Sequence, residues 1–378
     1  MPKGNLAEYR KISLESYERD RRFTLQWHLT AKCNYRCFHC YVHDASTYMR
    51  ELKNELGFDD CLAIIDEFSV MVSDMGVPAR INFTGGDPLL KERIIDIIRY
   101  ARAKGLEVGI LGNPDTLTEK IAEDLSNLHI RSYQISIDGM EATHDALRGK
   151  DGAFRDAIRA IRILNRFGIP SVVMFTLSKK NASELVDVIK LVDREHVSVF
   201  DFARLVPIGS GRMMRELLID ARSYRELLLE VLEQYKKLRD AGSTTKYGRK
   251  ESLWALLYSE IGIHNDSGSN EDMIMTGCAL GCNIMTILAD GTALGCRRLP
   301  IKIGKVPEQK LREIFIKSYE HQRMRKVEDI KKCGKCDLLR FCRGCRAVAF
   351  AVNGEYLGED PQCWRKTKDV NKGRNAHT

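Results

Sequence analysis

At 378 residues the chain is long enough for one large domain and a small one, or for two of medium size. Its composition, 44% hydrophobic and 30% charged, excludes a disordered chain; with no signal-peptide core after Met1 and no apolar run of membrane-spanning length, a cytoplasmic protein is expected. The net charge of +8 is carried by Lys and Arg interspersed with Asp and Glu on amphipathic helices, and without a nucleic-acid motif it reads as a solvated surface, with neither a nucleic acid nor a membrane as partner.

Residues 1–22 are polar with scattered apolar positions and read as a lead-in. Residues 23–30 alternate as a strand does, and they deliver a loop carrying Cys33, Cys37 and Cys40. A helix at 59–76 sets Cys61, Ile65, Phe68, Val72 and Met75 on one stripe, which makes Cys61 a core residue. A strand at 79–84 runs into Gly85-Gly86-Asp87-Pro88, locally a tight turn into a helix at 89–104. Strands at 106–111, 133–137, 171–177 and 198–205 then alternate with helices at 118–128, 153–167 and 182–194, the last capped by Asn181 and Glu184. Six strand-helix units argue for a parallel sheet with right-handed crossovers, and a cysteine loop at a strand's C-terminal end suits a barrel-like sheet with its chemistry on that face. A helix at 222–241 follows, and the polar stretch 264–270 marks a boundary before a second cysteine region.

Twelve cysteines in a cytosolic chain favour metal ligation over disulfides. Three thiols within eight residues leave one coordination position empty, and an iron of a four-iron, four-sulfur cluster that lacks a protein thiolate accepts an outside ligand. The alternatives are a structural zinc site awaiting a fourth ligand, or cysteines packed as small hydrophobes. The second region holds Cys278, Cys282 and Cys296, then Cys333, Cys336, Cys342 and Cys345, then Cys363. Eight thiols divide into two sets of four, and spacing alone suits zinc as well as iron-sulfur clusters.

Cys33-x3-Cys37-x2-Cys40 after a first strand, with His39 where an aromatic ring is usual, resembles the signature of radical S-adenosylmethionine (SAM) enzymes. The resemblance implies that SAM chelates the open iron and that one electron from the cluster cleaves it to methionine and a 5'-deoxyadenosyl radical, which abstracts hydrogen from a substrate. It assigns Gly85, Gly86 and Asp87 to a backbone contact with the SAM amino group, Asp87 replacing the commoner Glu. Ser136-Ile137-Asp138-Gly139 followed by Arg148-Gly149 resembles the peptide-modifying branch, with Ser136 and Asp138 at the cofactor and Arg148 offering a forked pair of hydrogen bonds to the SAM carboxylate. Asn113, Thr176 and Arg204 are expected at the same mouth. The C-terminal region resembles a SPASM domain with two auxiliary clusters, departing from its pattern at Cys342-x2-Cys345. Carried over, its connectivity gives Cys278, Cys282, Cys296 and Cys345 to one cluster and Cys333, Cys336, Cys342 and Cys363 to the other.

The expected fold is α/β, a partial (β/α)6 TIM-like barrel with a small C-terminal cysteine-rich iron-sulfur domain. Its parts are a lead-in at 1–22, the barrel at 23–240, a linker or bridging region at 241–275, the SPASM domain at 276–366 and a tail at 367–378. The expected cofactors are three [4Fe-4S] clusters and SAM. The leading functional expectation is oxidative crosslinking or thioether formation in a ribosomally made precursor peptide. A flavodoxin or ferredoxin would serve as reductant and, the lead-in being short, a separate peptide-recognition protein as partner. The alternative keeps the chemistry and changes the substrate to a tetrapyrrole of haem biosynthesis, with Arg297, Arg298 and Lys302 meeting propionates. The non-enzymatic alternative is a zinc-stabilised binding protein.

Overall fold

The expected alternation of strands and amphipathic helices is present in the computed structural model, which describes residues 22–42, 45–248, 250–263 and 276–366. Strands β1 (Phe23–Thr30), β2 (Ala79–Gly85), β3 (Glu107–Leu111), β4 (Ser132–Ser136), β5 (Ser171–Leu177) and β6 (Val199–Arg204) lie side by side in chain order, all parallel. A short β7 (Lys246–Tyr247) extends the β6 edge. Helices α1 (Ala45–Lys53), α2 (Phe58–Asp74), α3 (Ile94–Ala103), α4 (Glu119–Asn127), α5 (Glu141–Arg148), α6 (Ala153–Arg166), α7 (Leu185–Arg194), α8 (Ala221–Asp240) and α9 (Trp254–Glu260) complete this part. This is the TIM-like partial barrel; β1 is buried along its whole length, whereas β2 and β4 bury one face more fully than the other. On β1, Phe23 packs edge-on against Phe68 of α2 with ring centroids 5.8 Å apart, so Phe23, Leu25, Trp27 and Leu29 face the helices. Thr24, Gln26 and His28 therefore face the lumen.

The sheet does not stop at the barrel. Strand β8 (Ile284–Ile287) pairs parallel with β1, Trp27 opposite Ile287, and β9 (Thr292–Cys296) and β10 (Leu299–Lys305) continue from it antiparallel. The C-terminal cysteine-rich part, completed by α10 (Leu311–Lys317), α11 (Tyr319–Arg325) and α12 (Arg346–Asn353), thus shares one ten-stranded sheet with the barrel.

The stretch read as a linker or bridging region carries β7 and the buried α9, held by stacked Tyr235, Tyr247, Trp254 and Tyr258. Several local expectations need correction. Asn181 and Glu184 do not cap α7: Asn181 is buried and bridges strand ends, whereas Glu184 accepts the Met140 N–H at 2.6 Å and the Thr143 hydroxyl at 2.6 Å, holding the start of α5. Cys61 is a core residue as expected, but Met75, beyond the end of α2, is exposed. Residues 1–21 of the lead-in, the polar stretch 264–270 and the tail lie outside the described residues.

Candidate active site

The cysteine loop is held by backbone contacts on three sides. Gly86 N–H donates to Thr30 O at 2.8 Å and Asp87 N–H to Lys32 O at 2.8 Å. A Cβ on Gly85 would lie 2.2 Å from Thr30 O and one on Gly86 2.1 Å from Lys32 O, so only paired glycines let this turn press against the start of the loop. Phe38 N–H donates to Leu147 O of α5 at 3.0 Å, and Gly211 N–H to Cys40 O at 3.4 Å.

Above the C-terminal ends of the strands this loop borders a cavity. Cys33, Cys37, His39 and Cys40 line one side. The lumen-facing ends of the strands supply Thr84, Ser136, Met174, Thr176 and Ala203, and Gly85, Gly86, Asn113, Arg148 and Arg204 complete the floor and wall. Two site residues expected from the sequence are not on this surface. Asp87 and Asp138 are fully buried behind it, because each carboxylate is consumed by internal hydrogen bonds. Asp87 accepts from Leu89 N–H at 3.2 Å and from the Thr116 hydroxyl at 2.6 Å; burial nonetheless raises its carboxyl to about 6.

Asp138 is the hub of a network that sequence reading did not foresee. Its Oδ2 lies 2.5 Å from Arg148 Nη2 and 3.2 Å from His39 Nε2, and its Oδ1 accepts Thr176 N–H at 2.7 Å. Burial alone would raise this carboxyl, but Arg148 and His39 outweigh it and hold it well below the usual carboxylate range. Asp138 N–H donates to His144 Nδ1 at 2.9 Å, and burial lowers His144 to about 3, so it is the neutral acceptor that this bond requires. Arg148 Nη1 meets Cys37 Sγ at 3.6 Å, while Asn113 Nδ2 and Tyr35 N–H meet Cys33 Sγ at 3.4 and 3.5 Å. Donors and a positive charge directed at sulfur suit thiolates that ligate iron.

Arg204 lines the cavity with its guanidinium already engaged. It donates to Glu251 at 2.7 Å, to Gln362 at 2.7 Å and in a fork to Asp360 at 3.0 and 2.9 Å, so it ties β6 to the C-terminal part. Asp360 also accepts Cys345 N–H at 2.7 Å. Of the three cations held in reserve for propionates, Arg297 and Arg298 line the cavity, whereas Lys302 is exposed on β10 and does not.

In the C-terminal part Cys333, Cys336, Cys342 and Cys363 line one small enclosed cavity, the grouping expected for the second auxiliary cluster. Cys278 and Cys282 lie within electrostatic reach of Arg346, and Cys296 and Cys345 within that of Arg298. Burial raises the Cys333 and Cys345 thiols to about 12, so ligation there would displace protons.

A parallel partial barrel with a three-thiol loop above its strand ends, joined to an eight-thiol C-terminal part, defines a radical SAM enzyme, and the chain belongs to that family: residues 27–192 match the Radical SAM superfamily and residues 278–346 the SPASM iron-sulfur cluster-binding domain. Among characterised proteins the chain is similar to the AdoMet-dependent heme synthase of Methanosarcina barkeri, 31% identical over 90% of this chain and 95% of that one. It is also similar to the AdoMet-dependent heme synthase of Nitratidesulfovibrio vulgaris, 30% identical over 91% and 92%. The sporulation killing factor maturation protein SkfB of Bacillus subtilis is 26% identical over 89% of this chain and 72% of its own. The fold matches Streptococcus suis SuiB with a TM-score of 0.70 at 16% identity, covering 95% of this chain and 81% of that one. Among the described residues no helix is long and apolar enough to cross a membrane.

Proposed function

We propose that the chain is a radical SAM enzyme that takes a hydrogen atom from a side chain of a carboxylate-bearing tetrapyrrole in haem formation. The observation that supports this reading is the similarity, over at least 90% of each chain, to two proteins named AdoMet-dependent heme synthase, against the lower identity to SkfB. The tetrapyrrole alternative thereby replaces the precursor peptide as the preferred substrate.

In this reading Cys33, Cys37 and Cys40 hold a [4Fe-4S] cluster, and the two C-terminal sets of four cysteines hold the auxiliary clusters. When bound, the first cluster supplies the electron that splits SAM into methionine and a 5'-deoxyadenosyl radical. The chain's own residues position the reactants. Asn113 and Arg148 donate to cysteine sulfurs. Asp138 neutralises Arg148 from behind and thereby fixes its orientation. Gly85, Gly86, Ser136 and Thr176 form the surface on which SAM rests. A small external electron carrier such as flavodoxin or ferredoxin serves as reductant.

The test incubates the reduced, iron-loaded enzyme anaerobically with SAM and either Fe-coproporphyrin III or a cysteine-containing peptide, and follows both substrates by mass spectrometry. A mass change confined to the tetrapyrrole is expected. A change confined to the peptide would overturn the reading.

A further inference from the structure

One group of cations at the cavity and beside it makes no side-chain ion pair among the described residues. Arg148 and Arg204 are each paired with a buried aspartate, Asp138 and Asp360. Arg297 and Arg298, which line the same cavity from the turn between β9 and β10, make no hydrogen bond or ion pair among the described residues. Arg297 instead lies over the ring of Tyr41, 5.6 Å from its centroid, which fixes the guanidinium while leaving its edge donors open.

Lys250 belongs to the same group. It is exposed, its backbone N–H donates to Asp201 Oδ1 at 3.2 Å, and it lies within electrostatic reach of both arginines. Two carboxylates act on it electrostatically, and both also accept other donors. Glu251 accepts from Arg204 Nε at 2.7 Å and from Arg204 N–H at 3.0 Å. Asp201 accepts two backbone N–H groups, Phe202 at 2.8 Å and Lys250 itself at 3.2 Å. Three cations within electrostatic reach of one another repel, and a ligand that brings negative charge relieves that repulsion.

We propose that Lys250, Arg297 and Arg298 form a carboxylate-binding site at the mouth of the cavity, which grips the acidic side chains of the substrate and sets which of its edges faces Cys33, Cys37 and Cys40. The inference rests on the tetrapyrrole reading above and adds to it where the substrate is held. The arginines offer planar forks that match a carboxylate, and Lys250 adds a mobile charge that follows a flexible side chain. Tyr41 stands directly after Cys40, so the ring under Arg297 couples the position of the clamp to that of the cysteine loop.

The test uses full-length, iron-loaded enzyme and titrates it with coproporphyrin III, a metal-free tetrapyrrole with a propionate on each ring, read by its own fluorescence. SAM affinity is measured on the same samples, since the carboxylate of SAM is the other source of the same chemistry. Arg297→Gln and Lys250→Met are each expected to weaken coproporphyrin III binding about tenfold or more, the usual scale for losing a charged hydrogen bond, while SAM affinity stays within about twofold. Lys302→Met, outside the cavity, is expected to bind as the parent does. Arg297→Lys and Lys250→Arg, which keep the charge, are expected to recover part of the loss, which separates it from misfolding. Coproporphyrin III binding that is unchanged in Arg297→Gln and Lys250→Met overturns the site and leaves the tetrapyrrole reading standing. A loss of SAM binding in place of porphyrin binding also overturns it. Failure of the parent enzyme to bind coproporphyrin III overturns the tetrapyrrole reading itself.

Discussion

Replacing Arg204 with Met tests whether the barrel and the C-terminal part are held together by charge. The guanidinium is 1% exposed and makes four hydrogen bonds, to Glu251, to Gln362 and twice to Asp360. Met fills much of the same volume but leaves Glu251 and Asp360 buried without their ion-pair partner. Each keeps some backbone donors, Arg204 N–H for Glu251 and the Cys345 and Gln362 N–H groups for Asp360, so neither is wholly unsatisfied. Breaking a buried pair from one side costs about 3–5 kcal/mol, a large share of the ~5–15 kcal/mol that holds a domain together. At roughly 2 °C per kcal/mol for a chain of this size, the midpoint of anaerobic thermal unfolding is expected to fall by about 6–10 °C. Neutralising the stranded carboxylates in Arg204→Met/Glu251→Gln/Asp360→Asn should restore a substantial part of that loss. A single variant that melts within about 2 °C of the parent would refute the reasoning, since it would mean that the carboxylates are solvated or protonated in the folded state.

Further outcomes follow from the same geometry. Gly86→Ala places a methyl group 2.1 Å from Lys32 O, so the loop must move; iron bound by Cys33, Cys37 and Cys40 should be lost while the auxiliary iron stays, as read by iron content and the change in the EPR spectrum on adding SAM. Desolvation, then Arg297 and Arg298, lower Lys250 below the ordinary lysine range, against Asp201 and Glu251. A bound carboxylate favours the ammonium, so coproporphyrin III affinity should fall with rising pH at lower pH than a free lysine would give, with at most about a tenfold loss per unit, and Lys250→Met should flatten that profile. Asp138 and Asp360 are both held below the ordinary carboxylate range. Their contribution to stability should therefore be complete above about pH 4 and be lost as pH falls further, and Asp138→Asn should show a shallower acid limb in unfolding measurements.

The barrel was legible because largely buried parallel strands leave long β-rich runs, and because helices such as 153–166 show an apolar stripe that only one period explains. Helix α5 was not legible. It is eight residues long, begins at Met140 without a side-chain cap of its own, and is held by Glu184 from more than forty residues away. The same distance misled the reading of Asn181 and Glu184, whose spacing fits a local cap although both serve tertiary contacts. The cysteines of the site declared themselves by spacing, whereas Asp138 sits in a motif that suggests ligand contact and yet turns inward. Nothing local distinguishes a carboxylate that faces a cavity from one that neutralises an arginine behind it. Strands β8 to β10 were missed because that region was read for its thiols, and no local pattern announces that 284–287 will pair with β1. The proximity of Lys250 to Arg297 and Arg298 is likewise visible only in the folded chain.

Removal of hydrogen from a tetrapyrrole side chain by a radical formed at the cysteine loop can be followed with Fe-coproporphyrin III deuterated on its propionate carbons, turned over anaerobically with SAM and reductant. 5'-Deoxyadenosine isolated from the reaction is expected to carry deuterium, and Cys37→Ala to form none of it. Unlabelled 5'-deoxyadenosine alongside a converted tetrapyrrole would contradict such removal.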